Sequence, residues 1–212
     1  MDAVDVAIVG AEGLVGQELL KILEERQFPA SSVRLYDDGQ RSGTEYFFRH
    51  EKLEVVEATG EPFRKVDVAF FCADVDTSRR LMPAVLQAGA VVVDGSGSMA
   101  DDATVPLVVP EVNVDEIGQH KGILSNPGSS TIQLMVVLCP LHAVNRIRRI
   151  VVSTYQPVSA SGTAAALKEL TAQAKRVLEG RRVCPHIYSH QIAFNVLPEI
   201  DVFLDNGYTR EE

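Results

Sequence analysis

The sequence predicts an α/β protein: a Rossmann-type, doubly wound parallel sheet followed by part of an α+β domain. Three observations carry that expectation. The runs Val4 to Val9, Val66 to Cys72 and Val91 to Asp94 are nearly continuous in apolar residues, as strands are when a parallel sheet is covered on both faces. Stretches with helical spacing alternate with them. A glycine-bearing turn, Gly10-Ala11-Glu12-Gly13-Leu14-Val15-Gly16, follows the first run directly and opens the first helix.

In chain order, Val4 to Val9 is the first strand, and Leu14 to Leu23 is a helix with Leu19, Leu20 and Leu23 on one stripe. Val33 to Tyr36 is the second strand and Val66 to Cys72 the third. Asp76 or Thr77 offers a cap for a helix running to about Ala88. Val91 to Asp94 reads as the fourth strand, Pro106 to Val109 as the fifth and Gly122 to Leu124 as the sixth. Near Asn145 the pattern changes. Arg148 to Val158 is longer and alternating, as in a sheet with one exposed face. A helix from Thr163 to Glu179 stops at Gly180, and Leu197 to Leu204 (LPEIDVFL) reads as another strand. Residues 1–144 are thus expected to form a dinucleotide-binding domain and 145–212 an incomplete second one.

Composition narrows the function. With 212 residues and 46% hydrophobic content the chain can bury a real core. A net charge of −9 opposes binding to nucleic acid, whose phosphates need a basic face. No apolar run reaches the roughly 20 residues that span a bilayer. The N-terminal MDAVDVAIVG enters a strand at once without a basic flank, unlike a signal peptide. Cys72, Cys139 and Cys184 lie far apart and suggest neither a disulfide frame nor a metal site, and the histidines lack ligand spacing. A cytoplasmic protein is the expectation.

Two stretches carry candidate chemistry. In the glycine turn, Gly10 permits the tight bend, Gly13 lets a pyrophosphate approach backbone N–H groups, and Gly16 lets helix and strand pack closely. A turn with packing glycines and no ligand accounts for the same residues, and Glu12 would repel a phosphate unless it points away. Beyond the second strand, Tyr36-Asp37-Asp38-Gly39-Gln40 supplies an acid for ribose hydroxyls, which would favour NAD over NADP, or else a plain Asp-Gly turn. The other stretch is Ser125 to Gln133 (SNPGSSTIQ), a strand-to-helix turn. There Ser129 is either a nucleophile or, with Ser130, a helix cap. Nothing in the sequence names a histidine partner for a nucleophile.

Taken together, "VAIVGAEGLVGQELLKILEERQFP", "VPLVVPEVN", "NPGSSTIQ", "VVSTYQPVSASG" and "IAFNVLPEIDVFLDNGYTREE" resemble the aspartate-β-semialdehyde dehydrogenase family, nearly from end to end and in order. The resemblance implies reduction of β-aspartyl phosphate to the semialdehyde with NADPH through a cysteine thioester. It implies cofactor contacts at Gly10, Ala11, Glu12, Gly13, Leu14, Val15, Asp38 and Gly162. It places substrate contacts at Asn126 and Ser159 and catalytic positions at Ser129 and Gln156. It also implies a second domain for substrate binding and dimerisation. Family members are longer, and the chain ends at Glu212, ahead of the segment carrying the family's substrate-binding arginine and catalytic histidine.

The departures are as informative as the matches. Ser129 stands where the family has its cysteine, and Gly128 where an asparagine precedes it. The family's phosphate-gripping Ser and Arg align with Asp38 and Gln40, and a further phosphate-binding Arg aligns with Ala100. A Gly-Ser pair of the nucleotide-contacting loop aligns with Asp74 and Val75, and Ser-Gly-Ala-Gly has become Ser159-Ala160-Ser161-Gly162. A thiol is partly ionised at neutral pH and a hydroxyl is not, so serine at this position needs a strong base. Two readings follow: an oxidoreductase impaired in this chain, or a non-catalytic paralogue kept for nucleotide binding or assembly. A homodimer through the second domain is expected in either.

Overall fold

The computed structural model describes residues 3–37, 43–59, 62–161, 164–200 and 202–209. The chain divides into two compact units, Met1–Val151 and Val152–Glu212. The first holds β1 (Val4–Val9), α1 (Leu14–Glu25), β2 (Ala30–Asp37), β3 (Glu45–Phe48), β4 (Glu51–Glu57), β5 (Val68–Phe71), α2 (Val75–Gln87), β6 (Val91–Asp94), α3 (Pro110–Asn113), β7 (Ile123–Ser125) and α4 (Ser129–Val144). The second holds α5 (Ala164–Leu178).

The strands form one sheet in the order β3-β4-β2-β1-β5-β6-β7. Every neighbouring pair is parallel except the β3–β4 hairpin. β1 is central, and Val6, Ala7, Ile8 and Val9 are all fully buried. Alternation sends Val6 and Ile8 to one face, against Leu20 and Leu23 of α1. Ala7 and Val9 go to the other, with Phe71, Leu81, Met82 and Val85. A strand covered on both faces has no polar side to show, which is why its sequence is apolar from Val6 to Val9, with Asp5 only at its half-buried start.

From β1 the chain winds first to β2 and the hairpin, then returns to β5 on the opposite side of β1. Such a reversal opens a crevice beyond the carboxyl ends of β1 and β5, where open α/β sheets bind ligands. Backbones meet there at the limit of contact. Gly10 has φ +83°, and a β-carbon on it would lie 2.5 Å from the Ala73 nitrogen. At Gly16 a β-carbon would lie 2.3 Å from the Gly10 carbonyl oxygen. Both glycines are therefore required by packing, whatever binds nearby.

The hairpin β3–β4 is not anticipated by the sequence pattern. Its two-residue turn is Arg49-His50, with φ of 49° and 68°, where Asn-Gly is the usual signal. The turn is held from outside. Arg49 N donates to Glu24 Oε1 at 2.8 Å, and its guanidinium donates to the carbonyls of Ala30 and Phe28 while lying 4.9 Å from the Phe48 ring centre.

Three expected strands are corrected. Pro106 to Val109 makes only an isolated bridge, Leu107 to Ser125. Pro106 has no N–H, and the Asn113 side chain accepts from Val109 N (2.9 Å) and donates to Leu107 O (3.0 Å), diverting groups a ladder would use. Arg148 to Val158 is not a strand: an alternating pattern needs a neighbour to take its backbone groups, and among the described residues none pairs with it. Among the described residues of 197–204 there is likewise no strand, only a bridge from Phe203 to Thr209. Side chains of α5 do the bracing in this unit. Glu169 accepts from His186 N (2.9 Å), Ile187 N (2.8 Å) and Gln173 Nε2 (2.7 Å), and Gln173 Oε1 accepts from Ile192 N (2.9 Å).

Gly16→Ala provides a test of the packing. Alanine is the better helix former by up to about 1 kcal/mol. The backbone clash is expected to outweigh it, for a net loss of about 2 kcal/mol. Urea denaturation of the variant should show a lower midpoint; an unchanged or higher one would contradict the packing.

Candidate functional site

The glycine turn is built from β1 outward. Gly10 N and Ala11 N both donate to Tyr36 O, at 2.8 and 3.2 Å, and Gly13 N donates to Gly10 O at 3.1 Å. Gln17 Nε2 donates to Glu12 O at 2.8 Å. α1 then starts at Leu14 with Gly13 as its N-cap residue and no side chain capping it. Its first N–H groups consequently have no partner from a side-chain cap, the condition in which a helix start can take an external anion. Leu14 and Val15 are exposed at this helix start. Glu12 Oε1 is shielded from solvent.

Acids line the neighbouring loops. Glu12 N donates to Asp37 Oδ2 at 3.0 Å, bringing the last residue of β2 onto the glycine turn. Asp38 and Gln40 lie outside the described residues. The sequence singles out Asp38 by resemblance and gives Asp37 no role of its own. Across the crevice, the cap of α2 is Asp74 and not Asp76 or Thr77: its carboxylate accepts from Thr77 N at 2.9 Å. That hydrogen bond holds the Asp74 carboxyl below its usual range.

The loop after β6 is folded around a buried carboxylate. Asp94 is fully buried and accepts from Ser96 N (2.9 Å), Ser96 Oγ (2.5 Å), Ser98 Oγ (3.1 Å) and Met99 N (3.0 Å). A buried charge persists only when satisfied in this way. Arg79 Nη2 donates to Ser98 O at 3.2 Å. Ala100 follows, a methyl group where the resemblance implies an arginine. Beside this loop, burial and then the charge of Asp94 push the Cys72 thiol up to about 11.

β7 delivers the turn with Ser129. Asn126 N donates to Asp94 O at 2.8 Å, and the Asn126 side chain is exposed. The expected capping by Ser129 or Ser130 is corrected: Gly128 is the N-cap residue, no side chain caps α4, and Ser129 is its first helical residue. With Gly128 at the cap there is no side-chain oxygen to reach back to the helix N–H groups. Ser129 is exposed, and within its unit its hydroxyl has no hydrogen-bond partner among the described residues. His142 shares the helix but lies 13 residues on, about 20 Å along the axis. It accepts from Ile147 N at 3.2 Å instead.

Gln156 and Ser159 belong to the second unit, both half-buried, with Ser159 in a single 3-10 turn, Val158–Ser161. Gly162 lies outside the described residues. The structure thus gathers Gly10 to Val15 with Asp37 and Asp74, and ties Asn126 to Asp94.

Doubly wound topology with a glycine turn at the reversal defines the class of dinucleotide-binding folds. Comparison with known proteins gives the family. Residues 5–120 match the family model described as semialdehyde dehydrogenase, NAD binding domain, and residues 138–212 the model described as semialdehyde dehydrogenase, dimerisation domain. The aspartate-semialdehyde dehydrogenase of Bacillus subtilis is 41% identical, over 98% of this chain and 62% of its own length. That of Aquifex aeolicus is 44% identical over the same shares. The crystal structure of aspartate semialdehyde dehydrogenase II from Vibrio cholerae, complexed with ASA, superimposes with a TM-score of 0.94 at 39% identity, covering 100% of this chain and 63% of the other. The chain belongs to the aspartate-semialdehyde dehydrogenase family, and spans less than two thirds of the length of these relatives.

The cysteines give a measurable consequence. With its pKa raised from 9.0 to about 11, Cys72 holds about a hundredfold less thiolate at neutral pH than an ordinary thiol. Iodoacetamide at pH 8 is expected to label the exposed Cys184 well before Cys72, with Cys72 gaining reactivity as pH rises towards 11. Peptide mapping that found Cys72 labelled first at pH 8 would contradict its burial.

Proposed function

We propose that this chain is a nicotinamide-dinucleotide-binding member of its family in which the acyl-transfer chemistry is impaired. The observation that carries this reading is Ser129, exposed at the first turn of α4, with neither a base nor a cap partner for its hydroxyl among the described residues of its unit. Reduction of an acyl phosphate through an enzyme ester needs a nucleophile ionised near neutral pH. A cysteine at a helix start meets that need, because the positive end of the helix dipole favours the thiolate. A hydroxyl at the same place stays protonated without a strong base. Gly128, Asp74 and Ala100 support the same reading, since each stands where the resemblance implies a residue for substrate or nucleotide.

A second reading has its own support. The glycine turn is intact, α1 begins uncapped, and Gln156 is retained, so an oxidoreductase taking an acyl phosphate or aldehyde of an amino acid keeps part of its machinery. The two readings separate on turnover. With aspartate semialdehyde, phosphate and either NAD or NADP, the purified protein is expected to show no nicotinamide reduction. Turnover at the usual enzymatic rates, about 1–1000 per second, would establish the second reading.

We also propose a homodimer made through residues of the second unit. Val152, Val202 and Leu204 are 54%, 53% and 42% exposed there, more apolar surface than a lone unit normally leaves in water. The match of residues 138–212 to a dimerisation domain supports this. Light scattering at micromolar concentration should give twice the chain mass, and Val202→Asp should reduce it; a wild-type mass near 23.1 kDa would rule the dimer out. The three free cysteines fit a reducing cytoplasm.

A further inference from the structure

We propose that the groove between the last turns of α4 and residues 147–150 binds a small amphipathic carboxylate, with its apolar tail on the helix face and its anionic head on Arg148 and Arg149. The residues that form it are separate from the glycine turn and from Ser129.

The groove is made by a helix and the chain that leaves it. Met135, Leu138, Cys139 and His142 recur at three- and four-residue steps and so share one face of α4. At Asn145 the backbone becomes extended, with φ −149° and ψ 112°, which ends the helix. The Ile147 N–H then donates to His142 Nδ1 at 3.2 Å, tying the outgoing segment to the last turn. Because Nδ1 accepts that bond, the neutral ring carries its proton on Nε2, which is a donor. Ile147 to Ile150 border the same helix face, and the two sides leave a cavity of about 390 Å³ between them. That volume is in the range of small-molecule sites, roughly 300–1,000 Å³.

The chemistry of the lining selects the occupant. Met135, Leu138, Ile147 and Ile150 supply an apolar floor. Arg148 and Arg149 are exposed, and neither makes a hydrogen bond or ion pair with a described residue. No carboxylate stands near them in the chain: between Glu116 and Glu169 there is no Asp or Glu, although the net charge is −9. Two unanswered guanidinium groups beside apolar side chains fit an anion with an apolar body. A guanidinium grips a carboxylate through two parallel hydrogen bonds. The carbonyl end of α4 opposes an anion here, so binding depends on the arginines and not on the helix.

Calorimetric titration of the intact chain with octanoate, and with 1-octanol as its neutral counterpart, tests this. Octanoate is expected to bind about tenfold or more tightly than octanol, the scale of one charge-assisted hydrogen bond. Cys139 locates the site, because it lines the groove and Cys184 does not. At about ten times its Kd, octanoate should slow alkylation of Cys139 by iodoacetamide about tenfold and leave Cys184 unchanged. The double variant Arg148→Gln, Arg149→Gln should bring octanoate down to the level of octanol without moving octanol, and its urea midpoint checks the fold. Absence of octanoate binding, equal binding of the two probes, octanoate binding that leaves Cys139 unprotected, or a folded double variant that still prefers octanoate would each overturn the proposal. So would protection of Cys139 that rises with protein concentration in the absence of octanoate, the mark of a second copy seated on the groove.

Discussion

The close approach of backbones at the end of β1 is the constraint on which the rest of the first unit depends. Gly10 packs against Ala73, and Gly16 packs against Gly10, at distances no side chain permits. That contact sets the angle at which α1 leaves the sheet and the separation of the β1 and β5 loops. It therefore fixes the width of the crevice before any ligand is considered. The apolar content of β1 from Val6 to Val9 has the same origin, because those residues are enclosed on both faces.

Around the crevice, the loops are shaped by carboxylates spending their hydrogen-bonding capacity on backbone. Asp37 holds Glu12, Asp74 holds Thr77, and Asp94 holds Ser96 and Met99. Each interaction orders a loop. Together they give a site edged by negative charge, where a phosphate-rich ligand needs compensation from helix N–H groups. The uncapped start of α1 can offer such groups, whereas the start of α2 is already committed to Asp74.

The central sheet was legible in the sequence because buried parallel strands write themselves as nearly continuous apolar runs, and β1 and β6 fall at Val4–Val9 and Val91–Asp94 as read. The hairpin was illegible because its turn uses Arg49 and His50, whose left-handed backbone is supported by Glu24, Ala30 and Phe28 from elsewhere in the chain. Local rules cannot see such support. The alternation in 148–158 was real as a pattern, but pattern alone does not supply a neighbouring strand. At the site, Gly10, Gly13 and Gly16 declared themselves by spacing. Asp37 did not, because the hydrogen bond that brings it to the turn joins residues 25 apart in the chain.

Whether Ser129 acts as a nucleophile, which the proposed impairment denies, can be read by intact-mass spectrometry. The protein would be incubated with β-aspartyl phosphate, and separately with aspartate semialdehyde and NAD, then quenched in acid. The account predicts an unmodified chain in both, with an adduct appearing only when Ser129→Cys restores a thiol at the start of α4. An acyl adduct on the wild-type chain, mapped to Ser129, would contradict it.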